Sequence, residues 1–347
     1  MNTSAFSVID VDKQEFLGAI VVDEPERGAA GIWSIACNDE SVFISHSGTH
    51  EVSVIDHKAM LEKFLNYPNK AVLDYDLTFL YGLRERIPLE GNGPRNMILN
   101  GDKLIIPTYF ADILNIMDIN TNEVTSVELN PGREETAENK GERYFNDASH
   151  CFQNWQSCNG CHPGDARTDG MNWDLMNDGV GNSKNCKSML FSHMTPPNMI
   201  SGIREHAERA VRAGFNFIQF FEVSEEDAAC VDAYLKSLRP VPSPYLVNGE
   251  LSDLAKEGQK VFEKLKCGEC HSGVYYTDMK YHRIGEDIEF EKGWDTPTLR
   301  EVWRTAPYLF DGRAATMKEV FSVHKHGIEK KVSEKDIEAL TEYVNSL

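Results

Sequence analysis

The pentapeptide Cys158-Asn159-Gly160-Cys161-His162 returns 109 residues later as Cys267-Gly268-Glu269-Cys270-His271. Two further landmarks keep that register. "SEEDAACVDAYLKSL" (224–238) aligns without a gap on "SEKDIEALTEYVNSL" (333–347), and "TPPNMISG" (195–202) shares T-x-P-x-x-x-x-G with "TAPYLFDG" (305–312). Three matches, at offsets of 109, 109 and 110 residues, mean two copies of one domain. That duplication constrains the fold more than any other feature of the 347-residue chain.

The repeated motif carries chemistry. A Cys-x-x-Cys pair can hold zinc, act as a redox dithiol, or attach a c-type haem when His follows at once. Zinc needs four ligands, so both pairs would have to converge, and it gives no reason for a His after each pair. A thioredoxin-like dithiol needs a βαβ setting that the pattern lacks. Covalent haem explains every residue: Cys158, Cys161, Cys267 and Cys270 form thioethers, and His162 and His271 ligate iron. Of the other four cysteines, only Cys151 and Cys186 lie where a disulfide within one copy is worth considering.

Each copy has the pattern of a small helical domain. Ser252 is a helix cap, and Leu254, Val261, Phe262 and Leu265 form one apolar face leading to Cys267. Ser333 with Asp336, and Ser224 with Asp227, resemble capping boxes before closing helices. "RPVPSPYLVNGE" (239–250) reads as a Pro-rich linker between the copies.

The first third reads differently. "SVIDVDKQEF" (7–16), "SVIDHKAMLE" (53–62) and "NIMDINTNEV" (115–124) each show an apolar run ending in Asp and then a polar turn. The longer second interval carries an insert, "KAMLEKFLNYPNKAVLDYDLTFLYG". Short strands repeating in this way suggest propeller blades, two and a fraction of them, the first entered midway. The expected organisation is multidomain: an all-β partial β-propeller at 1–132, then all-α cytochrome c-type haem domains at 133–240 and 241–347.

The net charge of −20 argues against nucleic acid and anionic membrane surfaces, and suits a basic protein partner. No apolar run reaches the roughly 20 residues of a membrane helix. "MNTSAFSVIDVDKQEF" lacks the regions of a signal peptide. Covalent haem nonetheless points to a periplasmic or other extracytoplasmic protein, so the expectation is a truncated chain.

The two CxxCH domains, the linker and "TPTLREVWRTAPYLFDGRAATMKEVF" (296–321) resemble the bacterial di-haem cytochrome c peroxidase superfamily over about residues 135–347. That superfamily includes the di-haem oxidase that matures the methylamine dehydrogenase cofactor. The N-terminal third is similar to YVTN-type propellers. The resemblance implies two covalently attached haems, the first catalytic and the second the electron entry. It also implies reduction of hydrogen peroxide with electrons from a small, basic redox donor protein, and permits a homodimer. The other readings are a non-catalytic electron-transfer or binding protein, and an oxidase of a protein or organic substrate.

Residue roles follow from the resemblance. Thirteen residues after Asp311, His324 takes the second haem's distal ligand position, with His326 as its rival. A His there lowers the potential relative to Met. Asn185, Thr305 and Pro307 match a calcium site between the haem domains, whose amide and carbonyl oxygens suit a hard cation. In the first domain, His193 is the distal-pocket group, with Met176 or Met194 as runners-up, and Glu222 or Glu225 supplies a distal acid. The tryptophan that the family places between the haems is replaced by Ile200 or Met199.

Overall fold

The computed structural model describes residues 3–174, 179, 181, 183–284 and 291–347. They divide into two compact units, Met1–Gly160 with Gln219–Cys230, and Cys161–Ile218 with Val231–Leu347. The division falls inside the first CxxCH motif.

The first unit is built from β-meanders. Strands β1 (Ala5–Asp10) and β2 (Glu15–Val21) form an antiparallel pair. Strands β3 (Ile32–Cys37), β4 (Ser41–His46), β5 (Glu51–Asp56) and β6 (Arg84–Pro88) make one four-stranded antiparallel sheet in sequence order. A second consists of β7 (Ile98–Asn100), β8 (Lys103–Thr108), β9 (Ile113–Asp118) and β10 (Val124–Glu128). Four-stranded meanders are what propeller blades are made of.

The recurrent Asp has a common physical use. Asp10 accepts from Lys13 N (3.0 Å) and Asp118 from Asn120 N (3.0 Å), each closing a turn after its strand. Asp56 accepts from Ala59 N (2.9 Å) and instead caps helix α1 (His57–Leu65), the first part of the sequence insert. Helix α2 (Lys70–Leu73) follows. Phe64 and Leu73 from this insert pack with Ile20, Val42 and Ile55 in one apolar core. Phe43, Leu104, Ile106 and Met117 form another between the meanders' strands. Helix α3 (Ala137–Asn146) starts at a Thr136 cap.

The helical part shows its duplication in hydrogen bonds as well as in sequence. Each CxxCH opens on a tight turn, Cys158–Gly160 and Cys267–Glu269. Thr168 Oγ1 donates to Cys186 O (2.8 Å), as Thr277 Oγ1 does to Thr296 O (2.6 Å). Two-residue ladders follow in both copies, Asn172–Trp173 with Lys184–Asn185 and Tyr281–His282 with Trp294–Asp295. Helices α4 (Ala207–Phe217) and α5 (Glu225–Ser237) close the first copy. Helix α6 (Asp253–Lys264) precedes the second motif, and α7 (Met317–Ser322) and α8 (Glu334–Asn345) close the second copy.

Helices α6 and α8 cross at Gly258, where an added Cβ would stand 1.8 Å from Ala339 O. Val261, Phe262, Leu340 and Val344 pack around that crossing. Leu254, expected on this face, is exposed, and Ala255 is buried beside it. The Ser252, Ser333 and Ser224 hydroxyls all accept from the backbone N–H three residues on. The linker is pinned rather than free: Arg239 O and Val241 N both bond to buried side chains.

Candidate functional site

Both CxxCH histidines are held alike. His162 Nδ1 lies 3.1 Å from Arg167 O, and His271 Nδ1 lies 3.1 Å from Tyr276 O. A carbonyl accepts only, so Nδ1 carries the proton in each ring and Nε2 keeps its lone pair. Burial pushes both imidazoles below the ordinary His range, which favours this neutral form. A neutral imidazole with one nitrogen fixed by a backbone acceptor is the form that ligates a metal.

None of the eight cysteines is in a disulfide, Cys151 and Cys186 included. Burial pushes the Cys161 thiol up to about 12 and Cys267 to about 11, and raises Cys270. Reactive redox dithiols are lowered, not raised. Cys186 Sγ sits 3.2 Å from Cys161 O and 3.5 Å from His162 Nδ1.

The second motif has a partner across from it. The His326 ring centre is 6.3 Å from that of His271, with the planes at 50°. Two imidazoles sharing one metal ion, each nitrogen about 2 Å from it, have ring centres roughly 6 Å apart. His326 is pushed down to about 4 by burial and, next, by His271. The His271 and His326 rings are thus spaced as two ligands of one metal ion would be. His324 is not the residue brought to His271. Helix α7 ends at Ser322, and Lys325 adopts a left-handed φ of 49°, which turns the chain between the two histidines.

The first-domain candidates are dispersed. His193 is spent on neighbours: Nε2 lies 3.0 Å from Asp232 Oδ1, and Ser192 Oγ lies 3.4 Å from Nδ1. Asp232 also pairs with Arg212. Glu222 and Glu225 are exposed, as is Met194. Met176 lies outside the described residues. Of the expected calcium ligands, Asn185 and Pro307 meet, the Asn185 amide donating to Pro307 O, while Asn185 Oδ1 is buried without a partner. Thr305 Oγ1 donates to Val302 O (3.1 Å). The Asn185 amide thus presents its nitrogen to the Pro307 carbonyl, whereas a calcium site would need both oxygens turned to the ion.

Several residues had no sequence signal. Arg167 and Glu301 form a buried ion pair across 134 positions. Asp232 partners His193 from a distant helix. Trp294 stacks on Phe310, ring centres 4.3 Å apart.

Fold and site together define a mixed protein, β-sheets first and a duplicated helical CxxCH region after. No family model matches the chain. A curated relative, hydrazine synthase subunit gamma of Kuenenia stuttgartiensis, is 27% identical over 272 residues, covering 60% of this chain and 76% of that protein. A solved structure of Kuenenia stuttgartiensis hydrazine synthase, pressurised with 20 bar xenon, matches with a TM-score of 0.55 and 23% identity, over 63% of this chain and 89% of that one. A MauG-like protein associated with microbial copper homeostasis gives a TM-score of 0.48 and 18% identity, over 64% and 91%. The chain is thus a distant relative of a hydrazine synthase gamma subunit, and among the described residues no helix is long and apolar enough to cross a membrane.

Proposed function

We propose that the protein is a c-type di-haem redox subunit of an extracytoplasmic oxidoreductase of the hydrazine synthase kind. The observation that carries this is the pairing of His271 with His326 behind a CxxCH motif whose Nδ1–H is already satisfied. That arrangement suits an electron-carrying haem, closed on both faces. Substrate chemistry then belongs to the first haem, attached through Cys158 and Cys161 and ligated by His162. When bound, c-type haems supply one-electron transfer and, at an open iron face, activation of a small substrate.

The protein's own residues prepare the site. Arg167 O and Tyr276 O hold the Nδ1 protons and so fix which nitrogen faces the metal. His193, with both nitrogens engaged by Asp232 and Ser192, is held as a structural group rather than as an iron ligand. The relative's name supports membership of a multi-subunit complex, and the net charge of −20 supports a basic donor protein. A nitrogen-compound substrate is favoured over hydrogen peroxide because the curated likeness is to a hydrazine synthase subunit.

The test is expression with a c-type maturation system, followed by a pyridine haemochrome count and mass measurement. Two covalent haems are expected, one of them binding cyanide. Peroxide consumption and hydrazine formation, assayed with reduced donor and partner subunits, then separate the substrate readings. A chain that matures with no covalent haem, or with cyanide bound at neither, would overturn the proposal.

A further inference from the structure

We propose that the buried Arg167–Glu301 pair is a positioning device for His162, setting the donor strength of the first haem's proximal ligand. The inference rests on the haem reading above.

The carbonyl that accepts from His162 Nδ1 belongs to Arg167 itself. The chain reaches it through three successive left-handed residues, Gly164 (φ 64°), Asp165 (φ 61°) and Ala166 (φ 59°). Two of these carry a Cβ, so the turn is disfavoured by itself and must be held from outside. What holds it is the Arg167 side chain. Nε donates to Glu301 Oε2 (2.6 Å) and Nη2 to Glu301 Oε1 (3.0 Å). Nη2 also donates to Arg239 O (3.0 Å), and Nη1 returns to Asp165 O (2.5 Å), inside the turn. Both partners are almost fully buried, at 3% and 1% side-chain exposure.

Glu301 is fixed in its turn. It accepts from Val241 N, and its own backbone N–H donates to Leu347 O (3.4 Å). The acceptor for His162 is therefore anchored to the linker and to the end of the second copy. The second copy does the same job without a buried ion pair, the Arg300 guanidinium lying 4.8 Å over the Tyr276 ring instead. Tyr276, the counterpart of Arg167, accepts at its carbonyl from His271 Nδ1 and anchors its ring by a hydroxyl contact to Tyr343 (3.2 Å) and by packing on Phe262. Only one residue in that turn before it, Gly273, is left-handed. The two haem sites thus share the acceptor geometry and differ in what enforces it. A metal-bound imidazole becomes a better donor as the hydrogen bond from its N–H to the acceptor strengthens, so loosening the acceptor weakens the ligand.

The experiment uses full-length haem-loaded protein. Arg167→Met, Arg167→Lys and the double variant Arg167→Met/Glu301→Gln are compared by redox titration and by the iron–imidazole stretch of the reduced protein. The double variant leaves no unpaired buried charge and keeps the test open if the single one does not fold. The first haem's midpoint potential is expected to rise and its stretch to fall in Arg167→Met and the double variant. Arg167→Lys should restore part of both, and the second haem should stay at its wild-type values. Two-haem protein with an unchanged first haem, or with both haems shifted equally, would overturn the inference alone. Wild-type protein without covalent haem would overturn the reading beneath it and this inference too.

Discussion

At the level of single residues, the two histidines of "SVHKHG" show how narrowly a ligand is chosen. Both follow the same helix, and counting from Asp311 selects His324. The left-handed Lys325 reverses the chain between them and turns His326 onto His271. Nothing in residue type distinguishes the pair, so which of them neighbours His271 was not legible in the sequence, whereas the matching backbone acceptors of His162 and His271 follow the repeated CxxCH pattern. His326→Met should keep a six-coordinate second haem and raise its potential by ~100 mV or more, a modest part of the roughly 0.8 V that axial ligands span. His324→Met should change neither potential nor spectrum. Redox titration of the two variants checks this, and the opposite assignment would exchange their behaviour.

At the level of elements, the crossing of α6 and α8 supports the floor beneath the second motif. It depends on Gly258, because a Cβ there meets the Ala339 carbonyl and not a flexible side chain. Gly258→Ala should therefore destabilise the protein by about 1–3 kcal/mol, despite the better helix propensity of Ala. Urea denaturation of the two proteins measures it, and an unchanged midpoint would mean that the helices separate at no cost. Helix α7, which delivers His326, begins at a reciprocal capping box between Thr316 and Glu319. Thr316→Ala should cost about 1 kcal/mol and broaden the second haem's spectrum by loosening its ligand. The sequence yielded α5, α6 and α8 with their Ser caps, but neither α7 nor these two devices. Apolar periodicity marks residues that fill space, so it placed Leu254 inside, where the structure exposes it. A contact that requires an empty position, as at Gly258, leaves no apolar mark.

At the level of the whole molecule, the β-meander unit carries a buried polar centre that ties its stability to pH. His46 is fully buried on β4, with Nδ1 3.1 Å from Ala29 O and Nε2 2.8 Å from Ser53 Oγ. The carbonyl requires a proton on Nδ1, so the Ser53 hydroxyl donates to Nε2 and the ring is neutral. Burial, partly opposed by the Glu51 charge, pushes His46 down to about 4. The sign follows from linkage: between about 6.5 and about 4 the unfolded chain takes up this proton and the folded one does not, so stability falls as pH falls. The loss approaches ~1.4 kcal/mol per pH unit and totals about 3 kcal/mol by pH 4. Glu51 adds to it further down. Burial raises its carboxyl but the Arg86 hydrogen bond and charge outweigh that, so it ends below the ordinary range and its contribution is lost only below about 4.5. Asp23 works the other way, because burial lifts its carboxyl and protonation relieves the folded state. Its window lies above its ordinary pKa of 3.8 and partly offsets the His46 slope there. Urea midpoints of the full chain at pH 7, 6, 5 and 4, followed through β-sheet circular dichroism, should decline steadily. In His46→Gln the midpoint should start lower at pH 7, because two fitted hydrogen bonds are disturbed, and should then fall less steeply down to pH 5, the remaining slope coming from the buried His162, His271 and His326. Parallel declines in the two proteins would show that another group carries the acid sensitivity, and a flat wild-type curve would show that His46 takes up its proton without leaving the folded state.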